Sequence, residues 1–302
     1  MQTLRIALDW TPNTNHIGIF VAQQLGFYKE LGLEVVVAHP LADNYQVSPG
    51  KKLELDEVDF SIAPFETVIS LNNKPNKVHA VAIFALLQED LSCIVSLEGS
   101  EIKRMKDLDG KIYASYKARY EDLIVKEMIK ADGGVGEPVL QYPDRLGIWN
   151  TLLEGKADAT WIFDNWEGVE AATRGVELRK FYLSQHGIPY GYSPVIFTKK
   201  ESLEANRELY SQFVEATRRG YRYASSNQAE ACQILFPHLT PYDQQQVDLK
   251  KSLEVSAPFF GDDTTCGKMK STRVQAFLDW LVEHGLEDAR ILEQDLYTNE
   301  LG

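Results

Sequence analysis

Cysteine is scarce and scattered: the 302-residue chain holds three, Cys93, Cys232 and Cys266. An odd, widely spaced set builds neither a disulfide framework nor a CxxC metal or redox motif, so these read as idle or buried thiols. Long apolar runs are also missing. No stretch reaches the roughly 18 consecutive apolar residues of a membrane-spanning helix. Basic residues are few beside acidic ones: Lys and Arg number 31 against 44 Asp and Glu, a net charge of −13. Nucleic-acid backbones and anionic membrane surfaces are gripped through clusters of Lys and Arg, so neither is expected as a partner. No basic segment followed by an apolar core precedes the first strand. The chain reads as cytoplasmic as it stands, and as extracytoplasmic if a leader has been cleaved ahead of it.

Metal and nucleophile signatures are lacking as well. His16, His39, His79, His186, His238 and His284 show no HxxxH or HExxH spacing. There is no GxSxG elbow. The glycine-rich GGVGEP (Gly133 to Pro138) follows a helical stretch, whereas a phosphate cradle should precede one, so it reads as a helix stop and turn. No metal and no cofactor are expected.

What is present is a repeated switch of apolar period between 2 and about 3.6. Leu4, Ile6 and Leu8 predict a strand, and Ile17 to Tyr28 a helix with one apolar face. Strands are predicted over 32–38, 58–63 and 79–85, with a helix near Thr67. The rhythm restarts near residue 90, with strands over 92–97 and 111–115 and helices over 121–130 and 146–153. A strand over 157–163 and a helix from Trp166 follow, then a strand over 192–200. Beyond residue 201 the pattern is helical, over 203–225, 227–236, 241–254 and 270–284, broken by the turn-rich Ala257 to Lys268. Alternating strand and helix implies an α/β fold with mostly parallel sheets. Short crossings near 86–90 and 186–192 divide it into one lobe of 1–87 plus 191–302 and a second of 88–190, with a ligand cleft expected between them. Lys51 to Glu66 echoes Leu152 to Asn165: each has an acidic residue entering a strand, Asp59 or Asp158, and each strand leaves through an aromatic–carboxylate pair.

The most informative stretch is LDWTPNTNHIGIFVAQQLGFYKELGLEV (Leu8 to Val35). A strand ends at Asp9-Trp10, and the polar TPNTNH leads into an amphipathic helix. Asn13, Thr14 and Asn15 are good N-cap residues, and the first helical N–H groups are unpaired donors at a positive dipole end. An indole plate beside such donors suits a planar heterocycle; ordinary capping plus a core Trp is the plainer alternative. DWTPNTNH followed by GIFVAQQLGFYKELGLEV resembles the periplasmic-binding-protein family that handles the thiamine pyrimidine precursor, which includes importer substrate-binding components and fungal hydroxymethylpyrimidine phosphate synthases. VDFSIAP, KDLDGKIYAS and EGKADATWIF extend the resemblance over most of the chain. It implies a two-lobed periplasmic-binding-protein (type II) fold that closes on its ligand by a hinge.

The synthases of that family carry a lysine that holds pyridoxal phosphate and a histidine four residues later; the matching positions here are Ala63 and Thr67. A Schiff base needs an amine, so the resemblance implies a binder of a hydroxymethyl- or formylaminomethyl-pyrimidine. An enzyme of pyrimidine synthesis lacking that lysine, or a binder of another solute, is the alternative. An importer permease is the implied protein partner if the chain is exported. An aminopyrimidine offers an amine donor, ring-nitrogen acceptors and two flat faces. Candidate contacts are Trp10, Asn13, Asn15 and His16 in the motif; Phe65 and Glu66 after the VD strand; and Trp161, Asp164, Trp166 and Glu167 in WIFDNWEG. Tyr116 and Tyr120, in a loop with Arg119, and Tyr190 and Tyr192 at the return crossing complete the set. Glu66, Asp164 and Glu167 also stand where a helix N-terminus favours acids.

Overall fold

Alternation of apolar and polar side chains sets the first strand, β1 (Gln2–Ala7), with Leu4 and Ile6 buried and Thr3 and Arg5 outward. The computed structural model describes residues 1–143 and 148–301. They divide into two units. Unit 1 comprises Met1–Asp90, Gly191–Gln275 and Ala289–Gly302; unit 2 comprises Leu91–Tyr190 and Ala276–Asp288. No described helix is long and apolar enough to cross a membrane.

In unit 1, β1 leads through a 3-10 turn (Thr14–His16) into α1 (Ile17–Gln24). Gly26, at φ +79°, ends that helix, so the predicted helix over 17–28 is two, the second being α2 (Phe27–Glu30). Then come β2 (Leu33–Ala38), α3 (Pro49–Glu54), β3 (Phe60–Ala63), α4 (Phe65–Asn73) and β4 (Ala80–Ala85). Unit 2 carries β5 (Ser92–Leu97), β6 (Ile112–Ala114), α5 (Glu121–Ala131), β7 (Val139–Gln141), α6 (Ile148–Leu153), β8 (Ala159–Phe163), α7 (Val169–Thr173) and β9 (Leu178–Tyr182). The predicted start of α6 at 146–147 lies outside the described residues. A π-turn (Asp164–Gly168) joins β8 to α7.

The chain returns to unit 1 with β10 (Val195–Lys199), α8 (Lys200–Ala205), α9 (Arg207–Ser226), α10 (Gln228–Leu235), α11 (Pro241–Gln246) and α12 (Leu249–Ser256). A final helix, α13, covers Ser271–Glu283. The helices predicted over 203–225 and 241–254 are each interrupted, at Asn206 and at Val247-Asp248, where the backbone leaves helical geometry.

Unit 1 has the sheet order β2-β1-β3-β10-β4 and unit 2 the order β7-β6-β8-β5-β9. Four of the five strands in each run the same way, and the remaining one, β10 or β5, fourth in its order, runs antiparallel to both its neighbours. The two plans repeat in detail. Ile6 and Ala7 pair with Phe60 and Ser61, and Tyr113 and Ala114 with Ala159 and Thr160. Asp59 Oδ2 accepts from Arg5 N–H at 2.7 Å, and Asp158 Oδ2 from Ile112 N–H at 2.8 Å. The sequence echo is therefore a structural one, with one adjustment. With Asp59 matched to Asp158, Pro64 falls opposite Phe163, so the aromatic–carboxylate pairs are one residue out of step.

The unit 1 core is aromatic. Phe60 stacks on Phe213 with centroids 4.2 Å apart, and Tyr28 lies on Phe213 at 5.6 Å. Such pairs add about 0.5–1.5 kcal/mol to the burial of their faces. In unit 2, Cys93, Val95, Leu152, Ile162 and Ala171 form a buried cluster.

Candidate functional site

In open parallel sheets the strand carboxyl ends are the usual place for ligands. In unit 1, the loops after β1, β2 and β3 place Asp9 and Trp10, His39 and Tyr45, and Phe65 and Glu66 there. The loop after β1 is held tightly. Asn13 caps the 3-10 turn, its Oδ1 accepting from Asn15 N–H at 2.8 Å while its Nδ2 donates to the Thr11 carbonyl at 3.2 Å. The Thr14 hydroxyl lies 2.8 and 3.0 Å from those of Ser252 and Ser256 on α12. The Tyr221 hydroxyl, from α9, donates to the Asn15 carbonyl.

His16 is fully buried. Its Nδ1 receives Asn13 N–H at 3.3 Å, and its Nε2 lies 2.8 Å from Asp9 Oδ1. A main-chain N–H can only donate, so the ring accepts at Nδ1 and donates from Nε2 to Asp9. The Asp9 side chain is 22% exposed. Among the described residues its carboxylate has no second hydrogen-bond partner and no Lys or Arg. Trp10 is half-buried, and its ring meets Tyr45 at 5.3 Å and 53°. Tyr45 follows Asn44, and both adopt positive φ, 61° and 53°. His39 and His238 both lie against Phe20, at 6.5 and 4.4 Å. Burial lowers the pKa of both, and for His39 the nearby His238 and His16 lower it further.

Phe65 and Glu66 open α4 and are buried. Phe65 N–H donates to the Tyr192 carbonyl at 2.9 Å. Tyr192 is itself a core residue: its ring lies under the Arg273 guanidinium at 5.1 Å, and its hydroxyl accepts from Lys270 N–H at 2.8 Å. Ala63 ends β3 and Thr67 lies in the first turns of α4.

Unit 2 places Tyr116 and Tyr120 on the loop after β6, Trp161 on β8, Asp164, Trp166 and Glu167 in the turn after it, and Tyr190 beyond β9. The Glu121 carboxylate gathers the first loop. It accepts from the Tyr113 hydroxyl at 2.8 Å, from Tyr116 N–H at 3.1 Å and from Ala118 N–H at 3.2 Å. Burial pushes its pKa up, and those donors oppose the shift. Tyr116 is exposed. Tyr120 is buried, its hydroxyl donating to Glu287 Oε1 at 2.6 Å beside the Arg119–Glu287 ion pair. Trp161, Tyr190, Phe277 and Tyr120 form an edge-to-face series with centroid spacings of 5.6, 5.3 and 6.1 Å. Asp164 is occupied on both oxygens, by the Tyr182 hydroxyl at 2.6 Å and by Lys180. Glu167 caps the π-turn, its Oε2 accepting from Phe163 N–H at 2.9 Å, and Trp166 is buried.

The structure thus brings Trp10, Asn13, Asn15 and His16 together in unit 1, and Trp161 with Tyr190 in unit 2. Tyr120, Tyr192 and Asp164 are engaged with protein partners. Asp9, Tyr45 and Glu121 stand beside these candidates without being among the residues the sequence singles out. Only Asp9 carried a local signal, its place directly before Trp10. Cys266 and Cys232 are held at about 12 and about 11 by burial, far from thiolate chemistry at neutral pH. Among the described residues no group of His, Cys, Asp and Glu is arranged to hold a metal ion.

A family model described as NMT1/THI5 like matches residues 13–231. The formylaminopyrimidine-binding protein of Halalkalibacterium halodurans is 22% identical, covering 99% of this chain and 90% of its own length. A 4-amino-5-hydroxymethyl-2-methylpyrimidine phosphate synthase of Legionella pneumophila is 26% identical, covering 76% of this chain and 72% of its own. The solved structure of the periplasmic aliphatic sulphonate-binding protein SsuA from Escherichia coli matches with a TM-score of 0.70 at 14% identity over 97% of each chain. The fold is that of the periplasmic binding proteins.

Proposed function

We infer that this chain, which belongs to the NMT1/THI5-like family, is a binding protein for a small aminopyrimidine of the thiamine-precursor type. The relative named for formylaminopyrimidine binding covers nearly the whole chain, which supports that ligand class over the sulfonate of the fold neighbour. The observation that carries the reading is the loop after β1. A half-buried indole, Trp10, is backed by Tyr45 and stands next to an aspartate fixed by a buried histidine. A flat ring that is also a hydrogen-bond donor suits such a plate and acceptor. Where the resembling synthases carry their lysine, Ala63 offers no amine, which supports binding over pyridoxal-phosphate chemistry. If the chain is exported, an importer permease is the protein partner this reading implies.

Calorimetric titration of the purified protein with 4-amino-5-hydroxymethyl-2-methylpyrimidine, its formylaminomethyl counterpart and an alkanesulfonate tests this. An aminopyrimidine should bind, and Trp10→Ala should weaken it by about 10- to 100-fold, since stacking of a base on an aromatic side chain contributes roughly 1–3 kcal/mol. Binding of the sulfonate with no aminopyrimidine binding would overturn the assignment.

A further inference from the structure

An aminopyrimidine is distinguished from its oxo counterpart by the exocyclic nitrogen, which donates where the oxygen accepts. A site that prefers the amine needs an acceptor with a free lone pair held in a fixed direction. Asp164 is occupied on both oxygens by Tyr182 and Lys180, and Glu66 is buried at 6% exposure in the first turn of α4. Asp9 differs from both.

We propose that Asp9 accepts the hydrogen bond of the ligand's exocyclic amine and sets the preference of this site for amino- over oxo-pyrimidines, an assignment that rests on the aminopyrimidine reading above. His16, with no exposed surface, fixes Oδ1 from behind at 2.8 Å, and its own ring is turned to that tautomer by Asn13 N–H. This is the arrangement of a supporting group that locks the rotamer of a contact residue. Oδ2 is left without a protein partner among the described residues, and the side chain keeps 22% of its surface. The charge is uncompensated, unlike that of Asp43, which pairs with Lys52 at 2.7 Å, or of Asp56, which pairs with Lys199 at 2.6 Å. A half-buried carboxylate with no cation gains from any donor a ligand brings, and more from a cationic one. Asp9 directly precedes Trp10 in the chain, and the Trp10 ring packs on that of Tyr45.

An oxo group at the same ring position would aim a lone pair at Oδ2. Loss of a hydrogen bond to a charged acceptor lowers affinity by about 10- to 100-fold. Asp9→Asn is nearly isosteric. Its amide oxygen can still accept from His16 Nε2, which places an NH2 where Oδ2 stood and reverses the polarity offered to the ligand. The test is calorimetric titration of wild type and D9N with 4-amino-5-hydroxymethyl-2-methylpyrimidine and its 4-oxo counterpart. Wild type should favour the amine by about 10- to 100-fold, and D9N should lose that preference or favour the oxo ring. A folded D9N that keeps the wild-type ratio overturns the assignment while leaving the binding function standing. If D9N does not fold, wild type is titrated with the 4-dimethylamino analogue, which has no N–H to give. A loss of similar size supports the proposal, and equal affinity overturns it. Wild type that binds neither pyrimidine overturns the underlying reading, and this assignment with it.

Discussion

Helices α1 and α9 meet main chain to main chain, and one methyl group at that point should be enough to part them. A Cβ on Gly220 would stand 1.9 Å from the Gly18 carbonyl oxygen and 2.8 Å from its carbon; one on Gly18 would enter the Tyr221 ring at 2.2 Å. The obstacle to Gly220→Ala is backbone, so no rotamer change relieves it. In an open helix interior this substitution would gain about 1 kcal/mol from propensity alone. Overpacking costs about 1–3 kcal/mol and occasionally more. Moving α1 away also strips the Tyr221 hydroxyl from the Asn15 carbonyl, a further ~1 kcal/mol. The propensity gain and the lost hydrogen bond cancel, which leaves a net loss of roughly 1–3 kcal/mol, and a carbonyl at 1.9 Å places it toward the upper figure. In a unit of this size about 1 kcal/mol moves the midpoint by roughly 2–4 °C, so the melting temperature should fall by about 2–12 °C. Scanning calorimetry of ligand-free G220A measures this, with Gly99→Ala as control, since a Cβ there meets nothing within 4 Å. G220A melting at or above wild type would refute the close-contact argument. Affinity should fall in parallel, because α1 starts directly after His16 and carries the loop of Asp9 and Trp10 with it.

Glu121→Ala leaves the Tyr113 hydroxyl and two main-chain N–H groups without their acceptor. At about 1–3 kcal/mol per orphaned buried donor, partly rehydrated, urea denaturation should show a loss of about 3 kcal/mol, and an unchanged midpoint would remove Glu121 as the organiser of the 115–118 loop. His39 has a folded-state pKa below its ordinary 6.5, so as pH falls through that value the unfolded chain binds the proton first and stability drops, until the folded imidazole also takes it up. Denaturation midpoints should therefore fall between about pH 7 and pH 5, and His39→Asn should flatten that slope; an equally steep slope in the variant would place the titration elsewhere.

The sequence exposes what is periodic or local. Alternation in Leu4, Ile6 and the residues of β2 announces strands because each side chain's burial follows from its own parity. β7 is different: a three-residue strand at a sheet edge, with Val139 and Gln141 both exposed, has no buried face to leave a pattern. The breaks at Gly26 and Asn206 lie inside stretches whose apolar spacing continues across them, so the period alone joins helices that the backbone separates. Among the site residues, the motif loop is legible because its capping runs over neighbours: Asn13 to Asn15, Asn13 to His16. Tyr120 and Tyr192 read as cleft tyrosines, yet their hydroxyls meet Glu287 and Lys270, far along the chain, which no local spacing foretells. Asp164 reads as a candidate ligand contact for the same reason, since its partners Tyr182 and Lys180 arrive on a later strand.

The repeat between the units explains why a weak echo was visible while its tips had diverged. In each unit a left-handed residue, Asp56 or Gly155, ends a short helix, with its N–H 3.1 Å from the carbonyl of Leu53 or Leu152. Three residues on, an aspartate returns two bonds to the first strand: Asp59 N–H to the Arg5 carbonyl at 2.9 Å, and Asp158 N–H to the Ile112 carbonyl at 2.8 Å, each beside its carboxylate bond. That clamp fixes register, and a slip of one residue would turn every strand side chain to the opposite face. Because register is common to both units, the strand ends are comparable position by position. Two residues beyond Ala7 stands Asp9, followed by Trp10; two beyond Ala114 stands Tyr116, followed by Lys117. Under the proposed function the clamp is scaffold and the tip meets the ligand, so the two should separate under mutation. Asp158→Ala, which orphans a half-buried Ile112 N–H, should cost about 1–2 kcal/mol, and Asp59→Ala less, because Arg5 is exposed to water. Equal and negligible losses at both sites, read by chemical denaturation, would mean that the aspartates decorate a register set by core packing alone.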